Sequence, residues 1–139
     1  MTFEMHPIGR VCNPTGEVPR HWTVSRVEGA IEIDPAYEAG LSDIRPGDRV
    51  VVLFAFHESP PFSPELLRQR PPHRDRERGV FSICSPVRPN PIGLSVVEVL
   101  SVEGPVLRVR GLDMRDGTPV LDLKPATGLH PEVPGGRAA

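Results

Sequence analysis

Proline fills 18 of the 139 positions, more than twice its usual share of roughly 5 %. A proline inside a helix removes one backbone hydrogen bond and collides with the preceding turn, at a cost of about 3 kcal/mol. At this density long helices are excluded. What survives is a chain of short strands, with prolines in turns and at strand starts, where a fixed φ and a missing donor do least harm. Glycine adds 13 residues, which keeps proline plus glycine just below the roughly 25–30 % typical of low-complexity disorder. With 38 % hydrophobic residues the chain can still close one core. Its length suits a single domain over 1–139, with the core expected within 5–125 and a Gly/Pro tail over 130–139.

The apolar runs are short, β-branched and bounded by Gly, Pro, Asn or Asp, so an all-β fold is expected. Residues 7–12 (PIGRVC) read as a strand closed by NPTG at 13–16. Residues 23–33 (TVSRVEGAIEI) read as a second, with a bulge near Gly29 to repair its imperfect alternation. Asp34 followed by Pro35 is an N-cap with proline at the first helical position, which places one short helix over 35–41. After the RPGD turn at 45–48, RVVVLFAF at 49–56 is apolar almost throughout, as in a strand buried on both faces. Further strands are expected at 80–84, 94–102, 106–112 and 120–123. Six or seven strands favour one sheet closed on itself, or two sheets packed face to face.

The formal charge is −2, so any affinity for nucleic acid must come from a local patch. Residues 58–79 offer one. This segment carries five prolines and five arginines (Arg68, Arg70, Arg74, Arg76 and Arg78), together with His73, around a short helical possibility at 64–69. It reads as a long exposed loop that could dock phosphates or simply be solvated. Cys12 and Cys84 lack paired spacing, which suits a reducing, cytoplasmic setting better than a disulfide framework. Neither a membrane-spanning run nor a signal-peptide pattern at 1–10 is apparent. GxGxxG, P-loop, GxSxG and HExxH motifs are missing, which leaves a Rossmann cofactor site or a zinc hydrolase unsupported.

Three segments can carry chemistry. GVFSICSPVRPNPIGLS at 79–95 places Pro86, Pro89 and Pro91 around Arg88 and Asn90, a stiff loop that either presents those groups to a ligand at little entropic cost or merely connects two strands. LFAFHE at 53–58 ends a buried strand on His57 and Glu58; the imidazole is a possible proton acceptor near neutral pH, or a satisfied polar group at the core edge. In LDMRDGTPVLDLKPA at 112–126, Asp116-Gly117 is a tight-turn signal of the hairpin kind. Asp122 and Lys124 share one face of the following strand, where an ion pair on a solvated surface is the plain alternative.

The order LFAFH, RPP at 70–72, RPNPIGLS and DGTPVLDLKP, with HPIG at 6–9, resembles the TsaA-like family of TrmO-type tRNA methyltransferases, from about Met5 to Pro125. The resemblance implies a single-sheeted β-barrel that binds S-adenosylmethionine, works as a homodimer, needs no metal and methylates N6 of threonylcarbamoyl-adenosine beside the anticodon of tRNA. It places the cofactor at Phe56, His57, Arg88, Pro89 and Asn90, and near Leu121. It assigns Asp122, His57 and Lys124 to the chemistry, with Asp122 or His57 as proton acceptor, and Arg70, Arg74, Arg76 and Lys124 to the substrate. The chain departs from the family pattern at ICSP (83–86), where an arginine precedes the serine in many relatives, at VCNP (11–14), and at Ala126, where an aromatic residue is usual. These departures leave two alternatives: transfer to a small molecule or another nucleoside, and a non-catalytic binding barrel.

Overall fold

The computed structural model describes residues 1–72 and 74–127. The expected tail at 130–139 lies outside the described residues, as does His73. Among the described residues the regular structure is β-strand and short 3₁₀ turns, as the proline content requires. Six strands make the main sheet: β1 (Gly9–Cys12), β2 (Glu28–Ile33), β3 (Arg49–Ala55), β6 (Ile92–Glu103), β7 (Val106–Arg110) and β8 (Pro119–Pro125). Two short strands, β4 (Arg68–Gln69) and β5 (Arg78–Gly79), pair separately. The main sheet runs β1-β2-β7-β6-β3-β8, antiparallel throughout, and β8 returns to β1 through Gly9↔Val120 and Arg10↔Pro119 to close the barrel. Bulges between Leu53 and Phe54 and between Val99 and Ser101 mark where the sheet must curve. Among the described residues no helix is long and apolar enough to cross a membrane.

The dyad repeat sorts β3 onto two faces. Val50, Val52 and Phe54 point inward with Val11, Ile31, Val97, Val99, Leu107 and Val109. On the outer face, Val51 joins Val96 and Ala126 in a second cluster, with Trp22 and Leu53 packed against it. This strand is therefore apolar on both sides for a reason visible in its sequence. Ala126, where the resemblance leads to an aromatic residue being expected, is 2 % exposed, so a ring there would have to displace its neighbours.

The helix expected at 35–41 is present as a 3₁₀ turn, Pro35–Leu41. Asp34 accepts the Ala36 N–H at 2.9 Å, Pro35 fixes the first φ, and Tyr37 N–H closes onto Asp34 O at 2.8 Å. Elsewhere local reading errs. Residues 22–24 form a 3₁₀ turn capped by His21, and the second strand begins only at Glu28. Gly29 makes no bulge; β2 pairs in even register with β1 and β7. Its missing Cβ gives room instead, because a Cβ there would overlap Cys12 O and lie 2.7 Å from Leu112 Cδ1. Residues 80–84 are not a strand either: Val80–Ser82 is a 3₁₀ turn with Val80 buried and Phe81 exposed. Finally, Asp116-Gly117 makes the expected tight turn (Thr118 N–H to Arg115 O, 3.2 Å; Gly117 φ +83°), yet not a hairpin, since β8 leaves β7 to pair with β1 and β3.

A candidate cofactor pocket at the barrel mouth

At one end of the barrel, four segments surround a cavity of about 300 Å³, one of them contributing only Val18. β3 runs into it with Phe54 and Ala55, and the chain continues along it through Phe56, His57 and Glu58; Pro86 comes from the loop before β6; Asp113, Met114, Arg115 and Thr118 come from the connection between β7 and β8. The Phe54 and Phe56 rings meet edge to face, 5.1 Å apart at 77°, a favoured arrangement for ring quadrupoles. Gly93 makes this possible: a Cβ there would collide with Phe54 Cζ and Cε2 and sit 2.8 Å from Phe56 Cζ. The backbone N–H of Phe56 donates to Pro91 O at 2.8 Å, so the RPNPIG loop is tied to the end of β3.

The rim is charged. Arg115 Nη1 donates to Glu58 Oε2 at 2.7 Å, and His57 Nε2 lies 3.6 Å from Glu58 Oε1. The Arg115 guanidinium, with His57 behind it, holds the Glu58 carboxyl below its usual range. Deeper in, Ser95 Oγ donates to Asp113 Oδ1. Burial pushes the Asp113 carboxyl up, and the Ser95 bond, His21 and nearby backbone N–H groups oppose that shift only in part. Asn13 anchors the whole connection. Its buried amide donates to Met114 O at 3.0 Å and Glu17 O at 2.8 Å, while Asp116 Oδ1 accepts the Asn13 backbone N–H at 2.8 Å.

Of the residues assigned from sequence, Phe56 and His57 line this cavity. Arg88 does not; its Nη1 donates to Ile83 O (2.8 Å) and Ser85 O (3.2 Å), closing the loop that carries it. Pro89 and Asn90 are exposed beside it. Leu121 is the extra residue of the β3–β8 bulge. Asp122 and Lys124 pair across β8 with Leu53 and Val51 on the outer face, and ion-pair with each other at 2.8 Å, both about half exposed. They are not brought to the cavity.

The arginine segment 58–79 is exposed but not featureless. Arg68 leans on Glu77 at 3.8 Å. Arg70, Arg74, Arg76 and Arg78 are exposed, and none pairs with a carboxylate among the described residues. Gln69 Nε2 donates to Leu66 O (2.7 Å) and Val87 O (2.9 Å), joining this segment to the RPNPIG loop. Sequence reasoning missed Ser95, Asp113, Asn13 and Gln69. Only the DMRDGT string hinted at Asp113, and there it read as part of a turn.

Residues 12–128 match the model of the tRNA-methyltransferase O N-terminal domain. A probable S-adenosyl-L-methionine-binding protein of Archaeoglobus fulgidus is 41 % identical over 128 residues, 90 % of this chain and 34 % of that protein. A second protein of that organism, named S-adenosyl-L-methionine-binding protein, is 42 % identical over 123 residues, 86 % of each chain. The human tRNA (adenine(37)-N6)-methyltransferase is 41 % identical over 88 residues, 63 % of this chain and 20 % of that one. The crystal structure of TrmO from Pseudomonas aeruginosa superposes with a TM-score of 0.73 at 33 % identity, over 90 % of this chain and 56 % of that chain. This chain thus spans about a third of the first relative and little more than half of the Pseudomonas protein. The chain belongs to the family of the tRNA-methyltransferase O N-terminal domain.

Proposed function

We propose that the chain binds S-adenosylmethionine in the pocket at the barrel mouth and methylates N6 of threonylcarbamoyl-adenosine next to the anticodon of a tRNA. The observation that carries this reading is the convergence of LFAFH, Pro86 from the loop before β6 and DMRDGT, segments far apart in sequence, on one cavity of about 300 Å³. The residues suit the cofactor's chemistry. A flat base fits beside Phe54 and Phe56, the carboxylates of Asp113 and Glu58 complement a sulfonium and an ammonium, and Arg115 complements a carboxylate. The family relatives named for binding S-adenosyl-L-methionine support the same assignment.

When bound, the cofactor supplies an electrophilic methyl group for in-line displacement. The chain then has two tasks. It must hold donor and acceptor in line, which can supply most of the rate gain, and it must take the proton shed by the acceptor nitrogen. His57, on the rim beside Glu58, is the acceptor favoured by its position. Asp122 and Lys124 lie on the outer face, beside an apolar stripe formed by Leu94 (50 % exposed) and Ile92 (37 % exposed) on β6. A second copy seated on that stripe would make the homodimer and cover Asp122. Arg70, Arg74 and Arg76 take the tRNA phosphates, with Gln69 tying their segment to the loop at the pocket.

The test is transfer of a labelled methyl group to threonylcarbamoylated tRNA. Label in RNA that disappears in His57→Ala, with cofactor binding retained, is the expected result. Clear cofactor binding without label in RNA would refute the acceptor and favour a small molecule or another nucleoside. Absence of cofactor binding at millimolar concentration would refute the pocket and leave a binding barrel.

A further inference from the structure

Ser95 has no exposed surface. It lies on β6 opposite Val52, on the inward face of the barrel, in a position where an apolar residue would ordinarily pack. Its hydroxyl is spent on one partner, the carboxylate of Asp113, 18 residues away on the connection that lines the pocket. A buried hydroxyl needs a partner, and a bond to an ionised carboxylate is about twice as strong as one between neutral groups. Asp113 is only partly buried and is one of the residues that line the cavity.

We propose that Ser95 is a positioning residue for the cofactor: its buried hydroxyl fixes the Asp113 carboxylate in its ionised form at the wall of the pocket, where that charge meets a cationic centre of the ligand. The inference rests on the cofactor reading of the pocket given above. Burial alone drives a carboxyl toward its neutral form, and a donated hydrogen bond reverses part of that drive. Removing the hydroxyl therefore raises the pH at which Asp113 loses its charge, on top of the shift that burial already causes. The other charged or titratable groups facing Asp113 are His21, and, along the cavity, His57, Glu58 and Arg115.

The experiment is calorimetric titration of the full chain with S-adenosylmethionine from pH 5 to pH 8, for wild type, Ser95→Ala, Ser95→Cys and Asp113→Asn. All four proteins keep His21, His57, Glu58 and Arg115, so differences between them isolate the Ser95–Asp113 pair. Asp113→Asn is expected to weaken binding about tenfold or more at pH 8, the scale of a charged contact, and to flatten the pH dependence. Ser95→Ala is expected to move the midpoint of affinity loss upward while approaching wild-type affinity at pH 8. Ser95→Cys, nearly isosteric and a weaker donor, is expected to move it in the same direction by less, which keeps the test alive if the alanine variant does not fold. A structural role alone would lower the melting temperature without moving the midpoint, and that result overturns the inference. If Asp113→Asn binds as wild type does at every pH, the pocket reading itself fails. If Asp113→Asn is weak but both Ser95 variants keep the wild-type midpoint, only the role of Ser95 falls.

Discussion

Replacing Gly93 by alanine adds one methyl group at a point where the fold has no room for it. The new Cβ would overlap Phe54 Cζ and Cε2 and approach Phe56 Cζ to 2.8 Å. Carbon atoms in contact rest roughly 3.5–4.0 Å apart, so the Phe56 ring must retreat by about 1 Å and Phe54 by more. Phe54 is 5 % exposed and packed in the core, so it cannot swing clear. Overpacking of this kind costs about 1–3 kcal/mol. Against it stands the ~0.5–1 kcal/mol by which glycine weakens a strand interior relative to alanine. The net expectation is destabilisation by about 1–2 kcal/mol, or a fall in melting temperature of roughly 3–7 °C for a chain this size. Because the displaced rings form one wall of the pocket, cofactor affinity should fall about tenfold, measured by calorimetry at a temperature where the variant is fully folded. Adding Phe54→Leu should restore part of the loss, so that the double variant is less destabilised than the sum of the singles. Wild-type melting and affinity in Gly93→Ala, or strict additivity in the cycle, would refute the claim that Gly93 exists to admit those rings.

Other expectations follow from the same geometry. Asn13→Ala leaves the buried Met114 carbonyl without its donor and cuts the connection that forms the pocket wall, so a loss of about 2–3 kcal/mol is expected in chemical denaturation; a loss under ~1 kcal/mol would show that water or a neighbour replaces the amide. Burial raises the Asp113 carboxyl, so the folded protein binds this proton more readily than the unfolded chain does. The stabilising contribution is then full below the unfolded carboxylate range and is lost as pH rises through the raised folded value. Asp113→Asn should remove that slope and melt at or above wild type at pH 7, at the expense of cofactor binding; a lower melting temperature would show the carboxylate to be stabilising. Arg74→Ala with Arg76→Ala should weaken tRNA binding and flatten the dependence of log K on log salt by about 1.5–2, the value for two lost phosphate contacts. An unchanged slope would place the RNA elsewhere.

Much of the fold is written locally. Proline density forbids long helices wherever the chain goes. The apolar run at 49–56 needs cover on both faces and has it, with Val50, Val52 and Phe54 in the barrel core and Val51 in the outer cluster beside Trp22 and Ala126. Asp34-Pro35 starts a helical turn by a cap and a fixed φ, both interactions within three residues. The misreadings share the opposite character. Gly29, expected to mark a bulge, is instead set by the Cys12 carbonyl and the Leu112 side chain that approach from other segments. Asp116-Gly117 turns as its residues dictate, but which strand follows it into the sheet depends on β1 and β3.

The pocket divides in the same way. Phe56 and His57 could be named because they end a recognisable strand. Asp113 read as part of a turn because its burial and its bond to Ser95 exist only after β6 and the β7–β8 connection meet. Arg88 looked like a ligand-binding cation, and the fold spends part of its guanidinium on the carbonyls of its own loop. The sequence by itself determined the mainly β class of the fold and most strands of the main sheet, since propensity and turn geometry act over a few residues. Tertiary structure alone decided which of those segments share a cavity, because burial, charge and register depend on contacts between residues far apart in the chain.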